Sequence, residues 1–117
     1  MKTSTFTQSL VDTLLENKAF HIVELDLRSL TDIADSLVIS STTSRRHAMA
    51  LADKIIAQAK QGGTRPLGVE GQDLGEWILI DLEDVIVHIM LPEVREFYNL
   101  EKLWSISQTT RRQHDPV

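Results

Sequence analysis

A chain of 117 residues with twelve basic and seventeen acidic side chains has a formal charge of −5, a balance that opposes bare nucleic acid as the main ligand. It contains no cysteine, which removes disulfides, thiolate metal sites and cysteine nucleophiles together and fits a reducing compartment. The N-terminal MKTSTFTQSL lacks the apolar stretch of a secretory signal, and no apolar run approaches the roughly 18 residues of a membrane span, so a cytoplasmic protein without membrane contact is expected.

The length suits one domain, which at this size buries roughly two-thirds of its unfolded surface without staples. Thr5 and Gln8 have capping-box spacing, and Phe6, Leu10 and Leu14 recur at i, i+4 with Val11 and Leu15 beside them. This predicts a helix over 5–17. FHIVELDL (20–27) alternates, with polar residues on one face, and predicts a strand near an edge. SLVISS (36–41) is a β-branched run suited to a more central strand. Ser44 is placed to cap a second helix, with Ala48, Leu51, Ala52, Ile55 and Ala59 as its buried stripe and Gly62–Gly63 as its stop. A third strand is predicted around 65–70. A strand, helix, strand succession favours a parallel pair joined by a right-handed crossover.

Residues 77–90, WILIDLEDVIVHIM, predict a hairpin with Glu83–Asp84 as a two-residue turn. The register then sets Ile78, Ile80 and Leu82 against Ile89, Val87 and Val85 on a wholly apolar face. The other face sets Trp77 against Met90, Leu79 against His88, and Asp81 against Ile86. Asp81 and His88 become diagonal neighbours about 7–8 Å apart at Cα, within reach of a hydrogen bond but without a nucleophile beside them. His21, His47, His88 and His114 stand singly, so no metal and no cofactor are expected. Trp77 and Met90 fit either a core layer beneath a helix or an exposed apolar patch for a protein partner. Pro92 ends the strand, EVREFYNLEKLW (93–104) suggests helical turns on either side of Asn99, and the polar residues 107–117 are expected to fray. The expected fold is one α/β domain over 1–106, a mixed sheet of about five strands packed by helices.

Two chemistries compete for these residues. TTSRRH (42–47) at a helix start could hold a phosphate, and with Asp81 it would suit a nucleotide-dependent transferase or phosphohydrolase using Ser40–Arg46. Gly68, Gly71 and Gly75 match no phosphate-loop pattern and read as turn residues.

ADSLVISSTTSRRHAMALADKI, PLGVEG, the 77–90 hairpin and FYNLEKLW together resemble the ribosomal silencing factor, or Iojap, family over about residues 5–106. The resemblance implies a nucleotidyltransferase-like architecture without catalytic carboxylates, hence no catalytic residues and no enzyme. It implies a translation repressor that binds the large ribosomal subunit through its fourteenth ribosomal protein and blocks joining of the small subunit under nutrient limitation. It places the docking surface at Trp77, Met90, Tyr98, Asn99, Leu100 and Lys102, with Leu79, Asp81 and His88 in the same face. It also raises a homodimer of the free protein. Glu83 stands where the family usually has glycine, and a bulge there would exchange the two faces on one strand.

Overall fold

The computed structural model describes residues 5–99 and the backbone of residues 110–113. In chain order the elements are α1 (Thr5–Glu16), β1 (Phe20–Asp26), β2 (Ser36–Ser41), α2 (Arg45–Gln61), β3 (Gly68–Glu70), β4 (Trp77–Asp81), β5 (Val85–Met90), α3 (Pro92–Tyr98) and β6 (Thr110–Gln113). The strands form one sheet in the order β3-β4-β5-β2-β1-β6. The central pair, β2 and β5, is parallel and every other pair is antiparallel, so the sheet is mixed. The five predicted strands are all present, and β6 is added to them.

Helices α1 and α2 lie on one face. Leu10, Val11 and Leu14 of α1 and Leu51, Ala52 and Ile55 of α2 close over Ile78, Ile80, Val87 and Ile89 of the hairpin. Gln58 fastens the two helices together, since it accepts from the Thr13 hydroxyl and donates to the Ser9 carbonyl. Gln8 does not reach back to Thr5 as the capping-box spacing suggested. Its amide donates to Asp12 one turn further on, at 2.9 Å. The helix closes with Lys18 at φ 70 and the Ala19 N–H on the Leu14 carbonyl, a left-handed stop more usual at glycine.

The predicted cap of α2 forms: Ser44 is extended and its Oγ accepts the His47 N–H at 3.0 Å. Ser44→Ala is expected to cost about 1 kcal/mol, read as a lower denaturant midpoint with an unchanged slope. An unshifted midpoint would mean that water replaces the cap without loss.

One expectation needs correction. The strand–helix–strand run does yield parallel strands, but β2 and β3 are not neighbours, because β4 and β5 lie between them. The partner that β2 takes in parallel is β5. Strand β1 lies next to an edge of the sheet, as expected. It pairs on its outer side with β6, which sets Glu24 opposite Arg111. Residues 110–113, within the polar stretch 107–117, need only their backbone groups to extend the ladder, whatever their polarity. Near its start β1 has a bulge, with a register shift between Phe20 and Val23 and His21 at φ 49. Beyond it, Val23 and Leu25 face away from α1 and α2.

Candidate functional site

The β4–β5 hairpin has the predicted register at every pair, from Trp77–Met90 to Asp81–Ile86. No bulge interrupts it. Glu83 alone of the two turn residues takes positive φ, at 74°. The Asp81 carboxylate accepts the Glu83 N–H at 2.9 Å, and the Asp84 N–H donates to the Leu82 carbonyl at 2.9 Å. Holding a glutamate in the left-handed region costs about 1–2 kcal/mol, which these two bonds offset. Asp81 therefore has a local task in the turn, and the hydrogen bond to His88 that its position allowed is not the one it makes.

The face turned away from α1 and α2 is a second, smaller apolar layer. Met90 sits inside it with Val23, Leu25, Leu37 and Ile39, and Trp77, Ile86 and Val94 of α3 pack at its margin. Met90 is fully buried, which corrects the expectation that it shares an exposed patch with Trp77. Covered by α3 and its neighbours, it supports the surface from beneath. Leu79 and Asp81 are half-buried on the same face.

Trp77 is half-buried, and its surroundings are aromatic. Its Nε1–H donates to His88 Nδ1 at 2.8 Å, with ring centroids 5.9 Å apart. The Tyr98 ring lies 4.8 Å from that of Trp77 at a 49° tilt, and Phe97 meets Tyr98 edge-on at 5.0 Å. These spacings lie in the range favoured by aromatic pairs. Tyr98 is 54% exposed and Phe97 80%. His88 is only 6% exposed, and burial lowers its imidazole from 6.5 to about 4, so it is neutral at physiological pH.

Helix α3 presents this pair because Pro92 starts it at a position that needs no amide donor, and Asn99 stops it. Asn99 takes a left-handed cap conformation and donates its N–H to the Arg95 carbonyl at 2.8 Å. Arg95 is buried, with Nη1 donating to the Ser41 hydroxyl at 2.8 Å, which ties α3 to β2. Leu100 and Lys102 lie outside the described residues. Phe97 was missed in the sequence: a seven-residue helix is too short for periodicity to reveal which face is open.

The residues of the nucleotide reading are not brought together. Asp81 aligns through Ile86 with Leu37, whereas Met90 aligns with Ser41. Four residues of strand, about 13 Å, separate the two levels. Ser40 and Ser41 are buried, with the Ser40 hydroxyl donating to the His88 carbonyl and the Ser41 hydroxyl accepting from Arg95. Arg45 pairs with Glu76, and His47 accepts the Thr43 N–H at Nδ1 and donates from Nε2 to the Asn17 carbonyl. Among the described residues, no group of three or more metal-ligating side chains converges, and no helix is long and apolar enough to cross a membrane.

The comparisons with known proteins agree with one another. Residues 2–117 match the profile of the family described as "Ribosomal silencing factor during starvation". The ribosomal silencing factor of Haemophilus influenzae is 42% identical over 96 residues, which is 82% of this chain and 94% of that one. The silencing factor of Chromobacterium violaceum is 38% identical over 94 residues, 80% of this chain and 77% of that one. A mouse protein named for mitochondrial assembly of the ribosomal large subunit is 34% identical over 83% of this chain, which spans 44% of that relative. Among solved structures, a Chromobacterium violaceum protein superimposes with a TM-score of 0.84 at 35% identity, covering 90% of this chain and 88% of that one. Sequence and fold together place the chain in the ribosomal silencing factor family.

Proposed function

We propose that this chain docks on the large ribosomal subunit with the Trp77–Tyr98 face, through that subunit's fourteenth ribosomal protein, and by occupying that surface prevents the small subunit from joining. The observation that carries the reading is the exposed aromatic run from Trp77 through Tyr98 to Phe97, on the side of the sheet that α1 and α2 leave uncovered. Exposed aromatics on a rigid, partly buried base are the usual anchors of protein interfaces. The resemblance extends the same surface to Asn99, Leu100 and Lys102. The relatives' names support a ribosomal partner, and the −5 charge favours encounter with basic ribosomal proteins. A second copy of the chain seated on the same aromatics would compete with the subunit, so a free homodimer would be a reservoir and not the acting form.

Co-sedimentation with separately purified large and small subunits tests this. Wild type is expected to pellet with the large subunit alone. Trp77→Ala and Tyr98→Ala are each expected to weaken binding by about 2 kcal/mol, roughly thirtyfold. Binding to neither subunit, or to both alike, sinks the reading. Normal binding by both variants moves the docking surface elsewhere.

A further inference from the structure

His88 is buried beneath the aromatic run, so its contribution to docking cannot be direct contact. Its position is fixed on several sides. It lies on β5, paired with Leu79 of β4 and Ile39 of β2, and its carbonyl accepts the Ser40 hydroxyl at 3.1 Å. Asp81, the carboxylate diagonal to it, is engaged with the Glu83 amide. What His88 does hold is the one polar atom of the half-buried Trp77, through the 2.8 Å bond from Nε1–H to Nδ1. An indole has a single donor and no acceptor, so this bond selects which edge of the ring turns inward. The same ring is set against Tyr98 at 4.8 Å. Without an acceptor below, the indole N–H of a half-buried tryptophan would turn to water and the ring would sample other rotamers. Ordering it afresh on binding costs affinity.

We infer that His88 is a positioning residue: by accepting the Trp77 indole N–H it locks that ring against Tyr98 and so preorganises the docking face, without itself touching the partner. This rests on the proposed docking to the large subunit. It requires His88 to be neutral, which burial favours, with its proton on Nε2, the tautomer that leaves Nδ1 free to accept.

Three proteins test it: wild type, His88→Phe, which keeps a ring but removes the acceptor, and His88→Asn, whose side-chain oxygen falls close to the place of Nδ1. Two readouts are compared. The first is hydrogen exchange of the Trp77 indole proton by NMR, its signal assigned from its loss in Trp77→Phe. The second is affinity for purified large subunits. Wild type should protect the indole proton. His88→Phe should lose that protection and bind about tenfold more weakly, and His88→Asn should recover much of both. A wild-type indole proton that exchanges at the solvent rate overturns the inference without any variant, including the case in which His88→Phe does not fold. Wild type that binds, with a folded His88→Phe that binds equally well, overturns the inference and leaves the docking reading standing. Wild type that does not bind the large subunit overturns both.

Discussion

Gly71→Ala is expected to destabilise the fold by about 3 kcal/mol or more, a drop in melting temperature of about 10 °C. Two effects add at this residue. Its φ is +86°, a region where any side chain costs about 1–2 kcal/mol. In addition, a Cβ built there lies 1.9 Å from the Trp77 carbonyl oxygen, and a backbone atom cannot swing aside. The overlap is relieved by moving backbone, either the turn at residue 71 or the first residue of β4, which carries the indole. Gly75→Ala is the internal comparison. Its φ of +73° carries the same conformational cost, but its Cβ would meet Arg45 O and Met49 Cε at 3.0 Å, a crowding that small shifts reduce. Thermal melts of the two variants should therefore differ by several degrees, with Gly71→Ala the lower. Equal melting points would mean that the 71–76 turn relaxes freely and does not hold Trp77 in place.

Acidification is expected to remove about 3 kcal/mol of stability through His88 alone. Its folded value, about 4, lies below the 6.5 of the unfolded chain because burial penalises the imidazolium. Between those values the unfolded state binds more protons than the folded one. The stabilisation is complete above pH 6.5 and is lost as the pH falls toward 4. Protonation would also occupy Nδ1 and deprive the Trp77 N–H of its acceptor. Denaturant titrations of wild type and His88→Phe at several pH values isolate the effect, because the remaining histidines and the carboxylates cancel in the difference. Wild type should lose ground to the variant as the pH falls through this window. Parallel curves would show that His88 does not titrate differently on folding.

Much of the hairpin was legible because its chemistry is local. Alternation fixes which side chains share a face, and the two residues between Leu82 and Val85 fix the register, so all five strand pairs from Trp77–Met90 to Asp81–Ile86 followed from counting. Helix α2 was legible for the same reason, through Ser44, the stripe from Ala48 to Ala59, and Gly62. What alternation cannot say is which part of a face another element will cover. Trp77 and Met90 point the same way, yet α3 folds back to bury one and leaves the other half open. That difference depends on Arg95 reaching Ser41 across 54 residues of chain, which no window of sequence contains. The parallel partner of β2 was misjudged on the same ground, since the crossover rule describes neighbours and a hairpin was inserted between them. Strand β6 was invisible because pairing along an edge uses backbone groups common to every sequence. Positive φ at Lys18 and Glu83 is likewise imposed from outside, since neither residue favours it.

The central seam has a consequence for the order in which the molecule can assemble during synthesis. Ser40 meets His88 at a sequence separation of 48, and α2, β3 and β4 all lie within that span. The β1–β2 pair and the two helices emerge first, but the inner edge of β2 has no partner until β5 has been made. At about 5–20 residues per second, that edge, lined by Val38 and Ile39, stays open for roughly 2–10 s while the rest of the chain is elongated. Closing so long a loop is also entropically late in refolding from denaturant. The nascent chain thus passes through an interval in which the β1–β2 pair is made and the future centre of the sheet is an exposed strand edge, open to any other strand that reaches it first.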